Sequence, residues 1–126
     1  MQRRKDRRVK QWNKTVIRVP GALGHVEIQA YTSDISLGGA RLHSPEPFAV
    51  GSLLPLRIEL VRTGETITIE ALVKWSRHHE ADDIHELGVE FQHSASAAFM
   101  SLMKNIHDLD PRPKAATRPA SELGKV

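Results

Sequence analysis

A chain of 126 residues with a formal charge of +3 can bury one core but not two, so a single domain is expected. It contains no cysteine, which excludes a disulfide framework, a thiolate metal site and a cysteine nucleophile. No run reaches the roughly 18 apolar residues that a bilayer-spanning helix needs, and the basic start leads into Gln11-Trp12-Asn13-Lys14 rather than an apolar signal core, so a cytoplasmic location is expected.

Charge is concentrated at the N-terminus, where Arg3, Arg4, Lys5, Arg7, Arg8, Lys10 and Lys14 face only Asp6. Residues 1–12 read as a flexible basic arm able to attract a polyanion. A first strand is predicted from Thr15 to Val19, closed by Pro20-Gly21, and a second from His25 to Thr32 with Val26, Ile28 and Ala30 on one face. Gly39 releases a third strand, Ala40 to His43, which ends at Ser44-Pro45-Glu46-Pro47 because proline donates no ladder hydrogen bond. In the fourth, Leu54, Leu56, Ile58 and Leu60 alternate with Pro55, Arg57 and Glu59. The fifth is the clearest run of period two: Ile67, Ile69, Ala71, Val73 and Trp75 share one side. A polar loop is expected from Arg77 to Glu86, then a sixth strand carrying Leu87, Val89 and Phe91.

From Ser94, a candidate N-cap, the period changes to helical, with Ala95, Phe99, Leu102, Met103 and Ile106 on one stripe. Residues 13–107 therefore read as a small antiparallel barrel or sandwich of six strands with one helix packed on it. Residues 108–126, with Pro111, Pro113 and Pro119 and little apolar content, read as a disordered tail.

Two short polar motifs carry the chemistry. Arg3-Arg4-Lys5-Asp6-Arg7-Arg8 offers guanidinium forks, which match both phosphate and the O6/N7 edge of guanine. Asp34-Ile35-Ser36-Leu37-Gly38-Gly39 offers a carboxylate acceptor for guanine N1 and N2, a hydroxyl donor, and backbone open to close approach at Gly38 and Gly39. Converging, they would hold a ligand that contains guanine and phosphate. Alone, each has a plainer reading: a frayed basic terminus and an ordinary turn. Trp75 reads first as a core residue, with stacking on a guanine face as its alternative. Trp12 could anchor the arm.

The two motifs in this order resemble the PilZ domain family, whose signature is Arg-x-x-x-Arg before the first strand and Asp/Asn-x-Ser-x-x-Gly after the second. Arg4 to Arg8 and Asp34 to Gly39 fill both halves, and Leu87-Gly88-Val89-Glu90-Phe91 looks like the family's last strand. The resemblance covers residues 3–107. It implies a mainly β fold, a six-stranded antiparallel barrel with one C-terminal α-helix, that binds the bacterial second messenger cyclic di-GMP without catalysis. Carried over, Arg4 and Arg8 would hold guanine edges and phosphates, Asp34 and Ser36 would bond the guanine and its neighbours, and Gly39 would allow close approach. Arg3 and Arg7 have the same spacing and could share or take over the work. The resemblance also implies a downstream protein partner of unknown identity and a role in motility, surface polysaccharide or biofilm formation.

Other classes are weighed on the same residues. A nucleic-acid module would use the basic arm, but the strands lack a basic stripe interleaved with aromatics. A ligand-free interaction scaffold would not need the arginines. His78-His79-Glu80-Ala81-Asp82-Asp83-Ile84-His85 lacks helical or Cys-x-x-Cys metal spacing and reads as a solvated loop, so neither a metal nor a cofactor is expected. No G-x-S-x-G elbow, P-loop or G-x-G-x-x-G is present, so no enzyme is expected.

Overall fold

The structure is a computed structural model that describes residues 8–93 and 96–107. The expected tail at 108–126, the first seven residues of the arm and the Ser94 cap lie outside that range. Six strands, β1 (Val9–Gly21), β2 (Gly24–Ile35), β3 (Gly39–Ser44), β4 (Leu53–Glu59), β5 (Thr66–His79) and β6 (Ile84–Gln92), precede one helix, α1 (Ser96–His107). Every strand pair is antiparallel and the sheet closes in the order β1-β2-β3-β6-β5-β4. Closure leaves no long edge unpaired, which suits a small sheet with few aromatics.

Period-two alternation supplies the core. Ile17, Leu42, Leu54, Leu56, Ile58, Ile69, Val73, Leu87 and Val89 all point inward and are buried. Ala98, Leu102 and Ile106 of α1 join the same cluster. Spacings of four residues put these three on one stripe, and the barrel covers that stripe. Polar anchors fix the helix in register: Asn105 Nδ2 donates to Gln11 Oε1 (2.6 Å) and the Arg62 N–H donates to Asn105 Oδ1 (3.2 Å). Nearby, the Val61 N–H donates to Asn13 Oδ1 (2.8 Å), while Asn13 Nδ2 donates to Thr32 Oγ1 (3.0 Å). Each buried amide therefore has partners, as a low-dielectric site requires.

Several strands run longer than the sequence reading, among them β2, which continues past Thr32 to Ile35 and so includes Asp34. β1 begins at Val9, so Val9 to Trp12, expected in the flexible arm, belong to a strand instead, and Val9 and Lys10 pair with β2. Lys10 faces Asp34 there. The expected loop from Arg77 to Glu86 is mostly strand, because β5 continues to His79 and β6 resumes at Ile84. Its polar residues suggest a loop, but cross-strand pairing of His78 with His85 and Arg77 with Glu86 extends the hairpin.

Candidate functional site

Three β-bulges build the site. Register shifts fall between Lys10 and Asn13 in β1, between Thr32 and Asp34 in β2, and between Val73 and Trp75 in β5. Each inserts one extra residue into one strand; in β2 and β5 the side chains beyond it flip to the other face, while β1 keeps alternating through Gln11, Trp12 and Asn13. Thr32 pairs with inward Leu42, whereas Asp34 pairs with Arg41 on the outer face. Val73 pairs with inward Val89, whereas Trp75 pairs with Gly88 on the outer face. The result is one row of side chains across five neighbouring strands, Lys10-Asp34-Arg41-Gly88-Trp75, on the outside of the barrel.

Trp75 is thus not the core residue that strict alternation predicts; it is 40% exposed. A Cβ on Gly88 would collide with the Trp75 indole, so the bare glycine lets the ring lie against β6. The Arg77 guanidinium lies 5.9 Å from the centre of that ring, within cation-π range.

At the other end of the row, Asp34 is buried but doubly paired. Its Oδ1 accepts from Arg8 Nη1 at 2.6 Å, and its Oδ2 lies 3.3 Å from Arg41 Nε. Both carboxylate oxygens are therefore engaged by arginines, and in this structure Asp34 positions those cations. Arg41 also donates from Nη1 to Glu86 at 3.2 Å. Glu86 is buried under a further set of donors: Arg77 Nη2 and His79 Nε2 both lie 2.8 Å from its Oε1. Burial resists ionisation of Glu86, but hydrogen bonds from His79 and Arg77 and the charges of Arg77 and Arg41 outweigh it and bring its pKa down to about 2. Beside it, burial pushes the His43 imidazole below its ordinary value, only partly countered by Glu86.

Ser36 is engaged within its own turn. Its hydroxyl is buried and accepts from the N–H groups of Gly38 and Gly39, both at 3.2 Å, while the Ser36 N–H donates to the Gly39 carbonyl at 2.8 Å. The side chain thus ties the turn that ends β2. Gly39 is bare for a neighbour's sake as well, since a Cβ there would run into the Val89 carbonyl where β3 and β6 close up.

These residues line a cavity of about 360 Å³ on the outer wall: Arg8, Ser36, Gly38, Gly39, Arg41 and Trp75 among them, with Lys74 and Glu90 on its flank. The structure therefore brings Arg8, Ser36, Gly38, Gly39 and Trp75 together, with Asp34 directly behind Arg8 and Arg41. Arg3, Arg4 and Arg7 lie outside the described residues. Sequence reasoning missed Arg41, Lys74, Glu86, Gly88 and Glu90. Arg41 stands two positions after Gly39 in a strand whose intervening Ala40 is buried, so alternation alone already placed it on the outer face. Glu86 had no such signal, because its burial comes from cations on β3 and β5.

At the hairpin tip, the His78 and His85 rings stack at 4.4 Å and His78 Nε2 lies 2.7 Å from Asp83 Oδ1. The ligand atoms of these three residues lie within 4.8 Å of one another. No helix among the described residues is long and apolar enough to cross a membrane.

The fold has solved counterparts. The Bacillus subtilis inhibitor of motility MotI (DgrA) aligns with a TM-score of 0.68 at 24% identity, over 89% of this chain and 54% of its own. The K. pneumonia MrkH-c-di-GMP complex aligns at 0.64 and 24%, over 86% and 53%. The PilZ domain of Escherichia coli YcgR with c-di-GMP aligns at 0.64 and 16%, over 93% and 100%. This chain thus spans about half the length of MotI and MrkH. No curated protein matches the sequence. At these identities the structures establish the barrel, and the sequence itself matches the PilZ domain over residues 2–106; the chain belongs to the PilZ domain family.

Proposed function

We propose that this chain is a non-catalytic receptor for cyclic di-GMP, acting in a bacterial cytoplasm. The observation that carries the reading is the outer-face row, which gathers the Arg8 and Arg41 guanidiniums and the exposed Trp75 indole around one cavity. A cyclic dinucleotide needs both kinds of partner: forks for phosphate and guanine edges, and a flat ring for a base. MrkH and the YcgR PilZ domain, of like fold, are described in complex with c-di-GMP.

The proposed switch is ordering of the N-terminal arm over this cavity. Arg8, the last residue of the Arg-x-x-x-Arg motif, already sits at its rim on Asp34. Ligand phosphates would neutralise the remaining arm arginines, among Arg3, Arg4 and Arg7, and draw them in. Ordering costs free energy, so affinity should be moderate. The closed arm is the surface that a downstream protein partner would read, in control of motility, surface polysaccharide or biofilm formation.

Calorimetry with cyclic di-GMP, cyclic di-AMP and a short DNA duplex tests this. Binding of cyclic di-GMP alone is expected, weakened in Arg8→Ala by roughly ten- to a hundred-fold, as for loss of a bidentate contact. A steeply salt-dependent duplex interaction with no cyclic di-GMP binding would replace the reading with a nucleic-acid module.

A further inference from the structure

We infer that Arg41 is a further ligand-contacting group of this cavity and that Glu86 is its positioning residue, an inference that rests on the cyclic di-GMP reading. Neither belongs to the two motifs.

The geometry singles out Arg41. A guanidinium carries five N–H donors in a rigid fork. Asp34 engages Nε at 3.3 Å and Glu86 engages Nη1 at 3.2 Å, which leaves Nη2 unengaged among the described residues. Both carboxylates are nearly sealed, with side chains 5% and 4% exposed, while that of Arg41 is 42% exposed and lines the cavity. The two acids lie behind and the open edge belongs to a cavity that also holds Arg8 and Lys74.

A long side chain pinned at two points has already lost its rotamer freedom, so contact with an anion adds little ordering cost. Among the described residues, Arg8 is held at one point, by Asp34. The cavity therefore offers one fixed fork and one on the strand end next to the arm. Glu86 stays ionised at neutral pH and is itself braced by Arg77 and His79, so it can hold Arg41 without being drawn toward the ligand. Flanking Trp75 lies in the same cross-strand row as Arg41, with only Gly88 between them. That spacing suits a phosphate on the fork and its base on the indole.

The test is a calorimetric titration with cyclic di-GMP of the wild-type chain, Arg41→Ala, Arg41→Lys, Glu86→Gln, the Arg41→Ala/Glu86→Gln double variant, and Arg57→Ala as a charge-matched control. Arg57 lies on β4 beside Glu27, away from the cavity. Arg41→Ala is expected to weaken binding by roughly ten-fold or more, and Arg41→Lys, which keeps the charge but loses the fork, by a comparable factor. Arg57→Ala should stay within about two-fold. Glu86→Gln should weaken binding less than Arg41→Ala and add nothing in the double variant, because its effect runs through Arg41. Melting curves without ligand verify that each variant is folded; if Arg41→Ala is not, Arg41→Lys decides.

Wild-type binding with unchanged affinity in the folded Arg41 variants would overturn this inference and leave the receptor reading standing. An independent further loss from Glu86→Gln in the double variant would overturn the positioning role. Absence of wild-type binding would overturn the receptor reading and this inference with it.

Discussion

The inner and outer faces of the barrel are made from the same strands by opposite means. On the inner face and under α1, side chains such as Leu60, Leu102 and Ile106 are fully buried, and the polar groups there, Asn13 and Asn105, are satisfied by their neighbours. Around the outer-face row, three strands break register and the exposed side chains are Arg8, Arg41, Lys74 and Trp75. Regular alternation spends side chains on stability. A bulge turns them outward for use, and the core gives up those positions.

That division can be broken from either side, and the largest effect should come from the packed interior. Leu102→Ala removes a fully buried side chain from the cluster that α1 shares with the barrel. It is expected to cost about 2 to 5 kcal/mol in urea denaturation, while the remaining folded molecules bind cyclic di-GMP with unchanged affinity. The converse substitution, Trp75→Ala, should reduce that affinity by an amount typical of a lost stacking platform, about 1 to 3 kcal/mol. Its midpoint of unfolding should move far less than that of Leu102→Ala, since the ring is 40% exposed.

Acid should affect the outer-face row through Glu86. Its folded pKa of about 2 lies below its ordinary value of 4.5, so its stabilisation is complete above that ordinary value and fades as pH falls toward the folded one. Glu86→Gln should flatten the loss of stability across that acid range, measured by denaturation at successive pH values. The smallest change is expected from Arg57→Ala, whose exposed partner Glu27 lies 3.6 Å away; the cost should stay under about 1 kcal/mol.

The same contrast explains what is legible in the sequence. Leu54, Leu56 and Ile58, and Ile67 to Val73, alternate without interruption, and the six strands and the helix emerge from such patterns. Trp75 falls one residue out of phase because the bulge at Lys74 leaves no local signal: alternation counts residues, and only the partner strand records an insertion. The long β5-β6 hairpin is hidden for a related reason. Its polar side chains read as loop, yet Glu86 is buried only because Arg41, Arg77 and His79 reach it from two other strands.

The motif marks Asp34 and Gly39; Gly39 lines the cavity and Asp34 contacts two arginines that do, and their visible work is structural. Asp34 clamps Arg8 and Arg41, and Gly39 lets β3 and β6 approach. Ser36, expected as a donor, ties a turn in the free chain. Motif residues can thus be recognisable while their physical task is set by partners far away in sequence, here 26 residues for Arg8 with Asp34 and 45 for Arg41 with Glu86.

The most direct measurement is amide and indole NMR of the labelled chain titrated with cyclic di-GMP. The expected result is perturbation centred on Gly39, Arg41, Gly88 and the Trp75 indole N–H, with Leu102 and Asn105 unmoved. Saturable shifts confined to α1, or to the Trp12 side of the barrel, with the Trp75 indole unchanged, would contradict a ligand site on the bulged row.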